Sequence, residues 1–524
     1  MAFSWKLYGD GKTPPLGEAV APDERLSWPL TVGIGAQHVV AMFGATFVFP
    51  LVMGLDANLA IMMSGIATII FLLIVQGKVP SYLGTSASFV GGVTAIRAQG
   101  GDSSDVVGAI LVSGVVLALV GLLIQAAGVR TVNKVLPPAV TGAVVLLIGF
   151  NLAPVAADVY WPQDQWVALA TMTFVIVVAL ALRGFWARIS ILLGLVFGYL
   201  LSLLLDATAG PITSVLGGAT EATTHDRVNL DGVGQADWFG LPDFTAPHFG
   251  LNYSLLVLPA VIALVAENAG HVKAVGEMTK RDLDPVLGRA VFADGVGTVV
   301  ATSVGGSPTT TYAENIGVMA ATRVYSTAAY YVAALVAILL GLVPKFGAIV
   351  NATPGGVLGG ITVVLYGMIG LLGAKIWKEN RVDFANPVNL VPLAAGIIIG
   401  IGNVTLTFTD DFSLNGIALG SIVAVVGWHL ARALAPADMK AALLREGASL
   451  DSASSLGHHG GGPAGGYADA RGGTDPSSVD EVGRPGVDGH PGHDTRLGGG
   501  HGTGGAHAGD PYGGADTRKG TLDR

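Results

Sequence analysis

The chain has no cysteine in its 524 residues. This absence removes disulfides, cysteine-ligated metals and a thiol nucleophile from consideration. Charge is scarce as well: Asp, Glu, Lys and Arg make up 12% of residues, about half the share of an ordinary soluble domain. The net charge of -9 argues against nucleic acid as a partner. Residues 1–27 carry Lys6, Lys12, Arg25 and several acids, but no apolar run of the kind that forms a cleavable signal. Neither an HExxH zinc motif nor a phosphate-binding loop is present, and no cofactor is expected.

Apolar residues fill the space that charge leaves. They are 51% of the chain, with a mean hydropathy of +0.61, and the reading is an all-α polytopic membrane protein. Apolar segments of membrane length run about 28–53, 57–77, 105–127, 137–154, 166–183, 187–206, 253–273, 324–344, 354–373, 387–403 and 412–435. Three more, at about 80–98, 288–303 and 307–322, are short or interrupted by Gly, Pro and Ser. Fourteen crossings result if each piece crosses, and hydropathy alone also admits twelve.

Charge favours fourteen. With a cytoplasmic N-terminus, Lys78, Arg130, Lys134, Arg183, Arg188, Lys273, Lys280, Arg281, Arg289, Arg323, Lys375, Lys378 and Arg381 all fall in cytoplasmic connections. The outer connections keep Arg97, Arg227 and Lys345, and are otherwise acidic. This is the positive-inside pattern.

The chain also repeats itself weakly. Ser64-Gly65-Ile66-Ala67-Thr68 resembles Asp294-Gly295-Val296-Gly297-Thr298, Gly84-Thr85-Ser86 resembles Gly306-Ser307-Pro308, and Pro138 with Gly142 resembles Pro354 with Gly359. Seven spans per repeat is odd, so the second copy must be inverted, and interrupted segments at matching positions point to a secondary transporter with a midplane site. The third and tenth segments each begin polar and β-prone, at Pro80–Phe89 and Ser307–Tyr312. Short strands from the two could pair antiparallel and satisfy each other's backbone groups. Thr311 three residues before Glu314 has the spacing of a capping box, which sets a helix start there. Two helix N-termini would then face one cavity, with orphan N–H groups aimed into it.

Residues 1–27 read as a cytoplasmic N-terminal segment, 28–435 as the membrane unit, and 436–524 as a cytoplasmic tail. A short amphipathic piece, 437–446, opens that tail. From 457 onward about a third of residues are Gly, a composition that cannot bury a core. His458, His459, His490, His493, His501 and His507 lie there without ligand spacing, so no metal site is expected. The outer connection 207–252 reads as a cover.

Ionisable groups inside spans are costly and usually functional. Glu267 and His271 sit at i and i+4 in the eighth segment and share a helix face. His38 follows Gln37 in the first, and Glu314 lies in the tenth. Two carboxylates suit a ligand rich in N–H groups, and free backbone N–H groups suit its carbonyls. Two acids close together in low dielectric cannot both stay charged cheaply, so one takes up a proton readily. An anion transporter of similar build would not set carboxylates before its ligand. A hydrolase built on Glu267 and His271 lacks visible partners.

QHVVAMFGATFVFP at 37–50, AENAGH at 266–271 and TTYAENIGVMAATRVYS at 310–326 resemble signatures of the nucleobase–ascorbate transporter family, most nearly its bacterial uracil permease branch. The resemblance extends over about residues 28–435. It implies fourteen segments in two inverted repeats of seven, a core of segments 1–4 and 8–11, a gate of segments 5–7 and 12–14, short strands in segments 3 and 10, and a homodimer. It implies proton-coupled uptake of a nucleobase across the cytoplasmic membrane, uracil with thymine tolerated, or a purine such as xanthine as the alternative. Carried over by position, Glu267 and Glu314 match the substrate carboxylates and His271 the histidine one turn on. Ala313 matches the amide donor before the second acid, where the uracil permease pattern has glycine. Tyr312 and Tyr366 match aromatic residues around the base, and Ala45 a small lining residue. His38 and Asn315 join the acids in proton coupling. Ala87 stands where the pattern has Phe, which thins the pocket wall, while Phe89 is kept.

Overall fold

The computed structural model describes residues 4–15, 17–128, 134–216, 221–409, 412–414 and 416–443. The principal helices are α1 (Trp28–Met53), α2 (Ala57–Ile74), α3 (Val90–Ala98), α4 (Ser103–Ala127), α5 (Pro138–Asn151), α6 (Gln165–Ala181) and α7 (Ser190–Ala209), then α8 (Ala260–Thr279), α9 (Leu287–Ser303), α10 (Ala313–Thr322), α11 (Thr327–Gly341), α12 (Gly355–Glu379), α13 (Pro387–Ile401) and α14 (Gly416–Leu434). Strands β1 (Lys6–Leu7) and β2 (Glu24–Arg25) pair in parallel. Strands β3 (Leu83–Thr85) and β6 (Thr309–Thr311), β4 (Ile212–Val215) and β5 (Ala222–His225), and β7 (Leu406–Thr409) and β8 (Phe412–Leu414) pair antiparallel. Among the described residues nine helices are long and apolar enough to cross a membrane, or ten if the bent pair Thr327–Gly341 and Pro344–Asn351 is one span. Shorter apolar helices are α6 and α13.

Local chemistry sets the helix ends. Asp56 accepts from Leu59 N to start α2, and Asp102 with Asp105 forms a capping box on α4. Pro138 occupies the first turn of α5, where its missing N–H costs nothing. Pro259 separates α8 from the short helix Leu251–Val257, and the two together make one apolar span, Leu251–Thr279.

Packing is by close backbone approach, as expected where lipid gives no hydrophobic drive between helices. A Cβ on Gly121 of α4 would lie 2.2 Å from Phe292 N of α9, and one on Gly149 of α5 would lie 2.1 Å from Gly370 N of α12. A Cβ on Gly65 of α2 would lie 2.4 Å from Ala334 O of α11. The packed pairs recur with a shift of seven helices: α4 on α9 and α11 on α2, α6 on α7 and α13 on α14, α12 on α6 and α5 on α13.

The strand pair β3/β6 sits at the centre, wholly buried, with Gly84 opposite Thr310. Thr68 of α2 accepts from Leu83 N at 2.9 Å, and Thr298 of α9 accepts from Thr309 N at 3.1 Å. These matched hydroxyls make Leu83 the counterpart of Thr309. Gly84 therefore matches Thr310, and the sequence alignment of Gly84 with Gly306 is off by one turn's worth of residues.

Both flanking segments are more built than their composition suggests. Residues 5–27 lie on the starts of α1 and α11: Val20 bridges Val324, Trp5 Nε1 donates to Thr327 Oγ1 at 2.8 Å, and Arg281 holds Asp23 at 2.9 Å. The hydrogen bond from Arg281 keeps the Asp23 carboxyl below its ordinary pKa. In the connection after α7, strands β4 and β5 pair and Arg227 donates to Asp164, so its described residues are tied down by specific hydrogen bonds. Of the proposed tail, residues 437–443 are helical, and the rest lies outside the described residues.

Candidate functional site

Two half-helices start from the central strand pair. Residues Ala87–Phe89 form a single 3-10 turn leading into α3, and α10 begins at Ala313. The amides of Ala87 and Ala313 therefore open helices, where intrahelical acceptors are lacking. Tyr312 is the residue before α10 and gives no side-chain cap. The expected Thr311–Glu314 capping box is thus absent: Thr311 is the last strand residue, and its hydroxyl is used elsewhere.

α8 packs against β6, α10 and the 3-10 turn, and so carries Glu267 and His271 to both half-helices. Glu267, His271 and Glu314 are only part-buried, Ala313 is exposed, and Ala87 is part-exposed. Residues on either side of them, including Asn268, Tyr312, Asn315 and Phe89, are buried. The two acids thus open on accessible space inside the helix assembly. Glu267 lies within electrostatic range of both Asp294 and Glu314. Neither Glu267 nor Glu314 accepts a side-chain hydrogen bond from another described residue.

Behind the acids runs a directional hydrogen-bond chain. Thr311 Oγ1 donates to Asn268 Oδ1 at 3.4 Å, and Asn268 Nδ2 donates to Asp294 Oδ2 at 2.6 Å and to Leu264 O at 3.0 Å. His271 Nδ1 is 2.8 Å from Thr311 Oγ1. Which of the two atoms donates in this contact is set by the His271 tautomer. Sequence reasoning used Asp294 only as an echo of Ser64. Its signal was available, since it is an acid in the middle of the ninth segment and is fully buried.

His38 and Asn315 meet as a second pair: Asn315 Nδ2 is 3.0 Å from His38 Nδ1 and donates to His38 O at 3.2 Å. The His38 ring lies 4.3 Å from that of Tyr330, and His38 Nε2 has no partner among the described residues. Tyr312 donates its hydroxyl proton to Thr85 O, tying the two strand segments together. Ala45 lies on α1, and its side chain is outside the described ones.

Tyr366 comes from a different part of the chain, on α12. It is buried and lines a cavity of about 430 Å³ with Gly149, Phe150, Ala156 and Trp161. None of the other candidate residues lines that cavity. Among the described residues no cluster of three or more His, Asp or Glu could hold a metal.

A multi-pass helical membrane protein with unpartnered acids beside two half-helix starts has the organisation of a secondary transporter. Comparison with known proteins narrows the class. The family model Xan_ur_permease, described as "Permease family", matches residues 30–408. The chain is 45% identical over 414 residues to the "Putative pyrimidine permease RutG" of Escherichia coli (strain K12), covering 78% of this chain and 90% of that one. It is 36% identical over 411 residues to the "Uracil permease" of Bacillus caldolyticus, covering 75% and 90%. A solved structure of the murine anion transporter Slc26a9 in the inward-facing state shares the fold, with a TM-score of 0.56 at 10% identity over 77% of this chain and 68% of that one. The chain belongs to the xanthine/uracil permease family, the nucleobase–ascorbate transporters.

Proposed function

We propose that the chain is a proton-coupled symporter that imports uracil across the cytoplasmic membrane by alternating access. The observation that carries this reading is the pair of unpartnered carboxylates, Glu267 and Glu314, opening on accessible space beside the half-helix starts at Ala87 and Ala313. Uracil is neutral and alternates N–H donors with carbonyl acceptors. The carboxylates accept from its N–H groups and the helix-start amides donate to its carbonyls. The relatives named as uracil and pyrimidine permeases support the same substrate class.

Fourteen segments in two inverted repeats fit the recurrence of packed helix pairs with a shift of seven. α1–α4 with α8–α11 form the core that holds the site, α5–α7 with α12–α14 form the gate, and Tyr366 faces the site from the gate during the cycle. Both termini are cytoplasmic, and two copies associate. Proton coupling falls to Glu267 and Glu314, with the His38–Asn315 pair beside them: adjacent acids in low dielectric share protons, so ligand and proton binding are linked. The anion transporter that shares the fold offers a rival class. Two acids at the ligand position disfavour it, because they would repel an anion.

Proteoliposomes holding the purified chain and labelled uracil test the reading. Uracil recovered unchanged inside supports it, and conversion of the label or its exclusion contradicts it.

A further inference from the structure

The outer connection between α7 and α8 is fixed at both ends to different parts of the molecule. At its first end Arg227 is nearly buried, its side chain 12% exposed, between two acids of the sixth and seventh segments. Its Nε donates to Asp164 Oδ2 at 2.7 Å, and Nη1 donates to Asp206 Oδ1 at 3.1 Å and to Gly210 O at 2.9 Å. Asp206 also accepts from the backbone N–H groups of Arg227 and Val228 at 3.0 Å. Asp164 caps α6 and Asp206 lies near the end of α7, so this end belongs to the gate.

The second end is fixed to the outer ends of α11, α9 and α4. Lys345 N donates to Asp237 O at 3.0 Å and Gly240 N to Leu342 O at 3.1 Å. Thr245 N donates to Val304 O at 3.1 Å and His248 N to Ser104 O at 2.9 Å, while His248 Nδ1 lies 2.6 Å from Asp105 Oδ1. The Lys345 ammonium rests over the Trp238 ring at 5.0 Å. Leu342, Val304, Ser104 and Asp105 lie on or at the ends of core helices, and Lys345 lies on the helix Pro344–Asn351, which packs on α2 and α11.

Only residues 229–236 join the two anchors, and none of them is buried. They include the helical turn Asp231–Gln235, which rests on the helix Pro344–Asn351 and carries Gly232 and Gly234 in open surroundings, and Asn229 Oδ1 accepts from Asp231 N at 2.8 Å. Unwinding five residues from helix to extended chain lengthens the path by roughly 10 Å.

We infer that Arg227 is a positioning residue of the transport cycle: it pins the outer connection to the gate, making residues 229–236 an extensible tether between gate and core. The inference rests on the core and gate division proposed above. A tether of fixed length keeps two moving surfaces at high effective concentration, and slack lowers it. Outer-face closure then slows while the site itself is untouched.

Two variants test this in full-length protein in proteoliposomes: Arg227→Ala, and eight Gly/Ser residues inserted between Gly234 and Gln235 with Arg227 intact. Both should lower uracil turnover per binding site at least fivefold while uracil affinity stays within twofold, and Arg227→Lys should keep at least half the turnover. Because the chain has no cysteine, spin labels at Trp166→Cys and Ile349→Cys report the gate–core distance without any substrate. Both variants should broaden that distribution at least twofold. An unchanged width, unchanged turnover, or a loss confined to Arg227→Ala would overturn the tether. If unmodified protein fails to take up uracil, the functional reading falls, and the spin-label widths still decide for or against the tether.

Discussion

His271 Nδ1 lies 2.8 Å from Thr311 Oγ1, so a histidine on α8 is oriented by the last residue of a buried strand. That hydroxyl in turn donates to Asn268, and Asn268 donates to the buried Asp294. Thr311 and Asn268 thus link α8, β6 and α9 in a set of hydrogen bonds that ends on a fully buried carboxylate.

Thr311→Val keeps the shape of the side chain and removes the hydroxyl. A lost hydrogen bond of this kind is worth about 1 kcal/mol, so uracil affinity should fall roughly fivefold with the fold retained. Titration of the purified variant checks it. Unchanged affinity would mean that the orientation of His271 does not matter to binding.

Glu267→Gln replaces an acceptor by a group of mixed character. Hydrogen bonds to charged groups are worth about 1.5–3 kcal/mol, which predicts a loss of affinity of tenfold or more without loss of folded protein. Wild-type affinity in this variant would remove Glu267 from the site.

Much of this was legible in sequence because membranes restrict the options. The apolar run 28–53 became α1 at the same residues, and the polar start of segment ten became a strand followed by a helix from Ala313. Glu267, His271 and Glu314 stood out as ionisable groups with no business in lipid. What sequence could not show was who holds whom. Thr311 looked like a cap for α10 because spacing along one chain is blind to α8, which approaches it from elsewhere. The outer connection looked like a cover because Arg227 finds Asp164 and Asp206 only after folding. Asp294 stands out in the sequence only as a repeat marker, since its partner Asn268 sits on another helix.

Selectivity should follow hydrogen-bond pattern over pocket size. Glu314, as a carboxylate, offers only acceptors, whereas an amide would also offer a donor. Ala87, part-exposed at the opposite half-helix, leaves room for a 5-methyl group. A mispaired buried polar group costs more than a loose apolar contact. Unlabelled uracil should compete best with labelled uracil, thymine should compete measurably, and xanthine weakly or not at all. Xanthine competing better than uracil would reverse the order.

Ending the chain after residue 446 should leave transport intact. All candidate residues precede that point, and the Gly-rich sequence beyond it lacks the apolar residues of a core. Uptake by a truncated protein of normal abundance in the membrane checks it, and complete loss would give the tail a role in transport.

Glu267, on α8, and Glu314, in the first turn of α10, are proposed to couple uracil to protons. Uracil accumulation in proteoliposomes with an imposed inward proton gradient, with and without a protonophore, tests this coupling most directly. Uracil should accumulate above the external concentration, more so as the gradient rises, and the accumulation should collapse on adding the protonophore. Accumulation driven by sodium alone and indifferent to pH would contradict the coupling.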